Sequence, residues 1–270
     1  LRYLHLMFLL TTKTAFWRID MFRLLKALPV VLGIVAIVAL GVFAASCGSG
    51  GNALVRVVNA IPDNSESLDV DVNGTKDFPS VAFDTVYPTP TTPASYTPVP
   101  SGSVSIEAFI AGQTTNPIVA PTTTSLSAST QYTVLLGGFP GSSPSAYLLP
   151  DNNTVPTTGN VNIRVIDGSA VAGSNGIDVV IYQTGTNPPP VSQAQVVGLP
   201  LGQASSYLSL TYESNYSIQV YQHGNGNPLF NFGFAQGGSS SAGPVTTLVI
   251  LDNPAGTAIY PTPIVLSDLN

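Results

Sequence analysis

Four short motifs occur twice in this chain, in the same order and about 110 residues apart. Leu54-Val55-Arg56-Val57-Val58-Asn59-Ala60 matches Asn162-Ile163-Arg164-Val165-Ile166-Asp167-Gly168, and Leu68-Asp69-Val70-Asp71-Val72 matches Ile177-Asp178-Val179-Val180-Ile181. Val104-Ser105-Ile106-Glu107-Ala108-Phe109 then matches Tyr216-Ser217-Ile218-Gln219-Val220-Tyr221, and Thr133-Val134-Leu135-Leu136 matches Thr247-Leu248-Val249-Ile250. A period this long is a duplicated domain rather than a solenoid repeat. Whatever fold one half adopts, the other must adopt as well.

The pattern inside each half is that of strands. Leu68, Val70 and Val72 fall on one face and Asp69 and Asp71 on the other, and Asn73-Gly74 follows as a hairpin turn. Val104, Ile106 and Ala108 alternate likewise, as do Tyr216, Ile218 and Val220. The strands near Gln131 to Leu136 and Thr246 to Leu251 are apolar on both faces, which suits a central position. No segment after Cys47 has a helical period. The reading is all-β, with about seven short strands per half: two tandem immunoglobulin-like β-sandwich domains behind an N-terminal signal segment, a closed barrel being the alternative.

The expected organisation is residues 21–46 as a signal peptide, 47–52 as a tether, 53–149 and 161–270 as the two sandwiches, and 150–160 as a short, fairly stiff Pro/Asn/Thr linker. Tyr87 to Pro100 reads as an exposed Pro/Thr loop, and Gly237 to Gly243 as a flexible one. The Val-Arg-Val-Val-Asn-Ala-Ile-Pro-Asp opening, the Leu-Asp-Val-Asp-Val-Asn-Gly that follows it and Val81-Ala82-Phe83 resemble the bacterial domain of unknown function 4397. The resemblance covers most of residues 53 to 252 and is stronger in the first half. It implies an extracytoplasmic β-domain and brings no site residues with it.

Arg23 and Lys26 precede an uncharged stretch from Ala27 to Ser46, closed by Cys47, the lone cysteine, and a Gly48-Ser49-Gly50-Gly51-Asn52 tether. That layout is a secretory signal, and it resembles a bacterial lipoprotein signal, in which the thiol carries the acyl chains after cleavage before the cysteine. An uncleaved membrane span and plain secretion are the competing readings. Ala44 stands where lipoprotein signals favour leucine. Residues 1–20, with Trp17, read as an over-extended start before Met21. The expected location is extracytoplasmic, lipid-anchored through Cys47; Gly48 in place of an aspartate favours the outer membrane where there are two.

Beyond residue 46 the chain keeps three basic residues (Arg56, Lys76, Arg164) against thirteen acids, a net charge of −10. Nucleic acid and anionic headgroups find no electrostatic footprint on such a chain. Without a second cysteine no disulfide is available, so stability rests on burial. Asp69-Val70-Asp71-Val72-Asn73-Gly74 spells the opening of an EF-hand loop, with Asp77 in place, but Ser80 occupies the position of the bidentate glutamate. A strand and turn explains it better, and no metal or other cofactor is expected. Arg56 and Arg164, at matching positions, are expected to pair with carboxylates on the adjacent strand, Asp69 or Asp71 in one half and Asp178 in the other; recognition of an acidic ligand is the functional alternative.

His223 sits in a glycine- and asparagine-rich hairpin tip and is the lone histidine beyond the signal. No Gly-x-Ser-x-Gly setting accompanies it, so no catalytic residues are assigned, and a membrane-anchored hydrolase would require a pocket containing His223 or paired acids. Tyr87, Tyr96, Tyr182, Tyr207, Tyr212 and Tyr221 serve core packing or, around the Tyr87 to Tyr96 loop, stacking on sugar rings. The expected function is therefore non-enzymatic: binding or a structural role in the cell envelope, with an envelope protein or a glycan as partner. An extracellular carbohydrate-binding module is the alternative.

Overall fold

The computed structural model describes residues 50–62, 66–89, 95–139, 142–212, 215–235 and 243–268. The signal segment, Cys47, and the Pro90 and Pro93 part of the first Pro/Thr loop lie outside these residues, as does most of the 237–243 loop. No described helix is long and apolar enough to cross a membrane. Residues 51–270 form one compact unit.

The first repeat contains β1 (Asn52–Asn59), β2 (Leu68–Val72), β3 (Thr75–Val81), β4 (Thr85–Tyr87), β5 (Thr97–Pro100), β6 (Gly102–Ile110), β7 (Val119–Leu126), β8 (Gln131–Gly137) and β9 (Ser145–Pro150). The second contains β10 (Asn160–Asp167), β11 (Ile177–Gln183), β12 (Val196–Leu199), β13 (Leu208–Thr211), β14 (Asn215–Gln222), β15 (Pro228–Ala235), β16 (Val245–Ile250) and β17 (Ile264–Ser267). Sheet order is the same in both: β4-β1-β8-β9 over β3-β2-β6-β7, and β13-β10-β16-β17 over β12-β11-β14-β15. The edge beyond β1 is shared by β4 and by β5, whose Pro98 and Pro100 suit an edge. Each repeat is thus an immunoglobulin-like two-layer sandwich. There is one strand or more beyond the expected seven, including β9 and β17, which flank the doubly apolar strands.

In each repeat the opening strand pairs in parallel with the doubly apolar one, β1 with β8 and β10 with β16. Parallel pairs are stable where both faces are covered, and here they are. Ala53, Val55 and Val57 of β1 turn inward to a core shared with Leu68, Val70 and Val72 of β2. The opposite face carries Val58, Leu135 and Leu149, which join Ile166, Val249 and Leu266 of the second repeat in a third, inter-repeat core. The two sandwiches therefore abut through the outer faces of their β1/β8 and β10/β16 sheets. Contact is close enough that a Cβ on Gly202, at φ +77, would fall 2.2 Å from the ring of Tyr147 on β9.

Leu135 is fully buried in this inter-repeat core. Leu135→Ala is expected to cost about 3 kcal/mol and to lower the midpoint of one shared unfolding transition in scanning calorimetry. Two separate transitions, with one unmoved, would show that the repeats unfold independently.

Candidate functional sites

The two strand arginines point away from their own sandwich cores. Both enter the inter-repeat face, which corrects the expectation that they pair across the adjacent strand with Asp69, Asp71 or Asp178. Alternation decides this: Val55 and Val57 face inward, so Arg56 between them must face out, toward the other repeat.

Arg56 donates from Nε to Thr133 Oγ1 at 2.9 Å, from Nη1 to the carbonyl of Ser267 at 2.9 Å and from Nη2 to the carboxylate of Asp268. Arg164 repeats the set: Nε to Thr247 Oγ1 at 3.0 Å, Nη1 to the Pro150 carbonyl at 2.8 Å and Nη2 to Asp151. Each arginine therefore takes its hydroxyl from its own repeat and its main carboxylate from the other. Secondary approaches close the ring, Arg56 to Asp151 at 3.3 Å and Arg164 to Asp268 at 3.9 Å. Thr133 donates onward to Asp151 and Thr247 to Asp268. Tyr96 donates to Asp151 at 2.8 Å and Tyr207 to Asp268 at 2.7 Å. The same two rings lie 5.1 and 4.9 Å from the guanidinium carbons of Arg56 and Arg164.

Both arginines are 2–3% exposed and both aspartate side chains fully buried. Burial alone would lower the pKa of Arg56, but Asp151 and Asp268 outweigh it and hold the pKa above its ordinary value. Burial raises the Tyr96 and Tyr207 hydroxyls far above theirs, so both stay protonated donors. Two positive and two negative charges close on themselves, leaving no group for an acidic ligand. Tyr96 is engaged here rather than presented to a sugar. Asp151, within the stretch expected to be a linker, is a buried member of the network. Repetition of Leu-x-Asp in Leu149-Pro150-Asp151 and Leu266-Ser267-Asp268 is the signal that marks these two aspartates.

Asp69 and Asp178 share a different task. Asp69 Oδ1 accepts from Ser80 N–H at 2.9 Å and Asp178 Oδ1 from Gly198 N–H at 2.7 Å. Ser80 and Gly198 are both left-handed, at φ 52 and 59, and sit beside matching irregularities in the β2–β3 and β11–β12 pairings. Each carboxylate thus pins a bulge. Asp69 is completed by Gly112 N–H and Lys76; burial pushes its pKa up, but these donors and Ser80 outweigh it, leaving it below the ordinary value. In the second repeat His223 takes that place, its Nδ1 2.8 Å from Asp178 Oδ1. The EF-hand-like segment is a strand and turn: Asn73 and Gly74 have φ 52 and 74, and Asn73 Oδ1 accepts from Ser105 N–H.

His223 is 43% exposed and lines an open cavity of about 330 Å³ with Asp178, Val191, Ser192, Val197 and Asn225. The pocket that a hydrolase reading requires is therefore present. No hydrogen bond joins Ser192 to His223 among the described residues. No group of three or more metal-ligating side chains occurs among them either.

Residues 53–179 match the family Domain of unknown function (DUF4397). The matched stretch covers a little under half of the chain. It runs from β1 through the whole first repeat and into β11, so it includes Arg56, Asp151 and Arg164. No curated protein matches the sequence. Solved structures with similarity include an alpha-glucan-binding streptococcal virulence factor, at 9% identity over 78% of this chain and 97% of that one, TM-score 0.24. Streptococcal family 41 carbohydrate-binding modules that recognise alpha-glucan give 12% identity, the same coverages and TM-score 0.24. The Bacillus anthracis TIE protein gives 10% identity over 75% of this chain and 34% of that one, TM-score 0.22. Superpositions at these scores carry no argument about ligand.

Arg164→Met leaves a buried carboxylate without its main partner and is expected to cost roughly 3 kcal/mol or more in urea unfolding. A loss below about 1 kcal/mol would mean that the network contributes little. Asp167, which stands where the first repeat has Asn59, gives a second test. In both, Oδ1 accepts the N–H two residues on, Ile61 or Ser169; Asn59 Nδ2 then donates to the Val81 carbonyl, whereas Asp167 Oδ2 has no partner. Burial first, then the charge of Asp252, raises the Asp167 pKa from 3.8 to about 8, against the Ser169 N–H. The folded chain therefore holds a proton at neutral pH that the unfolded chain releases, and stability falls as pH rises from about 4 to about 8. Asp167→Asn is expected to stabilise the protein by about 2 kcal/mol at pH 7 and by little at pH 4. Equal effects at both pH values would show that Asp167 is ionised in the fold.

Proposed function

We propose that this chain is a non-catalytic, lipid-anchored protein of the cell envelope, whose two fused sandwiches act as one rigid binding or structural module outside the cytoplasm. The signal layout ending at Cys47 carries the location, and the closed inter-repeat network supports the rigidity. Such a network serves a body that must present its loops in fixed relation. Only four residues, Gly48 to Gly51, separate Cys47 from Asn52, the first residue of β1, a span of five residue-to-residue steps. An extended chain covers roughly 17 Å in that number, so a lipidated Cys47 would hold the module against the bilayer surface. More than one acyl chain makes such anchoring durable.

Carbohydrate binding is the second reading. The pocket beside His223 favours it, being open and without a lysine or arginine in its lining. A hydrolase is disfavoured because, among the described residues, no hydroxyl nucleophile is hydrogen-bonded to His223.

Cys47→Ala tests the anchoring. The native chain, expressed from Met21, is expected to carry acyl mass by intact mass spectrometry, to lack residues 21–46 and to fractionate with membranes. The variant should lose the acyl mass. Retention of residues 21–46 by both forms would identify an uncleaved membrane span instead.

A further inference from the structure

The two repeats share their sheet order, so the places where the second departs from the first show what has been added to a common scaffold. Two departures converge on one cavity. The first repeat joins β2 to β3 by the two-residue Asn73-Gly74 turn, whereas β11 and β12 are separated by residues 184–195. This longer connection contains Pro188, Pro189 and Pro190 and a 3-10 turn at Val191–Gln193. It is clamped to β11: the Gln195 amide donates to and accepts from the backbone of Ile181, at 3.2 and 2.8 Å, and Gln195 N–H reaches Val179 O at 3.0 Å. A proline run and a bidentate clamp make a stiff wall, and Val191 and Ser192 face the cavity from it.

The second departure is His223, which takes the place of Ala111. Both residues donate their backbone N–H to the strand opposite, Ala111 to Ser67 O and His223 to Gly176 O. Asp178 holds the ring, and since its Oδ1 can only accept, Nδ1 is the protonated nitrogen. In the neutral ring Nε2 is therefore left as an acceptor. The ring also lies 3.6 Å from where a Cβ on Gly198 would stand, so the bulge backs it. A histidine 43% exposed would ordinarily sample several rotamers; here backbone, carboxylate and bulge fix its direction. The matching carboxylate in the first repeat is closed off by Lys76.

We propose that this cavity is a binding site for a neutral sugar ring, a terminal or exposed residue of a glycan. The proposal deepens the carbohydrate-binding reading by naming its site. A volume of about 330 Å³ is at the small end for ligand pockets, fitting one ring rather than an extended chain. Val191 and Val197 offer an apolar surface for the C–H face of a sugar, while Ser192, Asn225 and the imidazole Nε2 accept and donate to hydroxyls. Anionic ligands are disfavoured because no Lys or Arg lines the cavity and Asp178 lies within it. Quaternary amines are disfavoured because no aromatic cage surrounds it.

The test is titration calorimetry of the detergent-solubilised full chain with neutral α- and β-linked gluco-, galacto- and manno-oligosaccharides, with a uronate oligosaccharide and inorganic phosphate as charged probes. Two variants accompany it. His223→Ala removes the acceptor, and Val197→Trp, at a position 64% exposed, fills the cavity while leaving His223, Asp178 and the core residues unsubstituted. At least one neutral oligosaccharide is expected to bind, with affinity reduced tenfold or more in both variants and an unchanged melting midpoint in V197W. Neutral binding that survives both substitutions would overturn the site while leaving the carbohydrate reading intact. No binding of any neutral probe would overturn both. Preference for the uronate or for phosphate would overturn the ligand class.

Discussion

A buried guanidinium needs a carboxylate, and in this protein each repeat takes its main one from the other. Arg56 is answered chiefly by Asp268 and Arg164 by Asp151, across a face that is otherwise apolar. Desolvating four charges is costly, and Coulomb attraction at these distances offsets the cost only when hydrogen bonds satisfy the remaining donors and acceptors. Here threonine hydroxyls, tyrosine hydroxyls and the two backbone carbonyls of Pro150 and Ser267 do so. The apolar part of the face supplies area without direction, whereas the network fixes one register of sheet on sheet. It also explains why β1, β8, β10 and β16 are buried on both sides, and why Asp151 after β9 and Asp268 after β17 turn to the interface.

The pairing gives the duplication a physical meaning. Separated at residue 159, each half would expose an apolar sheet face, and each would carry an arginine whose main carboxylate had left with the other half.

Strand identity and facing were legible in the sequence because side-chain alternation is local. Leu68, Val70 and Val72 face the core as their spacing dictates, and the doubly apolar Thr133 to Leu136 and Thr247 to Ile250 segments are central. The partners of Arg56 and Arg164 were not legible, because alternation tells which face a residue takes and not what covers that face. Asp151 was hidden for a further reason. Its Pro/Asn/Thr surroundings have the composition of a linker, and composition reports solvent preference averaged over a stretch rather than the burial of one side chain. The His223 cavity was invisible for a third reason: it depends on a bulge in β12 that brings the Gly198 N–H to Asp178, and no pattern of two or 3.6 residues encodes it.

Asp69 and Asp178 show how one scaffold position supports two outcomes. The first function of the carboxylate is local, to satisfy the N–H freed by a left-handed residue at a bulge, and both repeats need it. That leaves acceptor capacity on the same group. In the first repeat an ammonium and a backbone N–H take it up, and the site is closed. In the second an imidazole takes it, and an imidazole differs from an ammonium in having a second nitrogen. The carboxylate that holds the bulge therefore also orients a polar group toward solvent without any additional buried charge. Lengthening the β11–β12 connection then adds a wall opposite that group. The inter-repeat network is built on the β10/β16 sheet and the cavity on the β11/β12/β14 layer, so variation at the cavity leaves the shared face undisturbed. A duplicated fold can keep one copy closed while the other opens a pocket, provided that the residues joining the copies lie elsewhere.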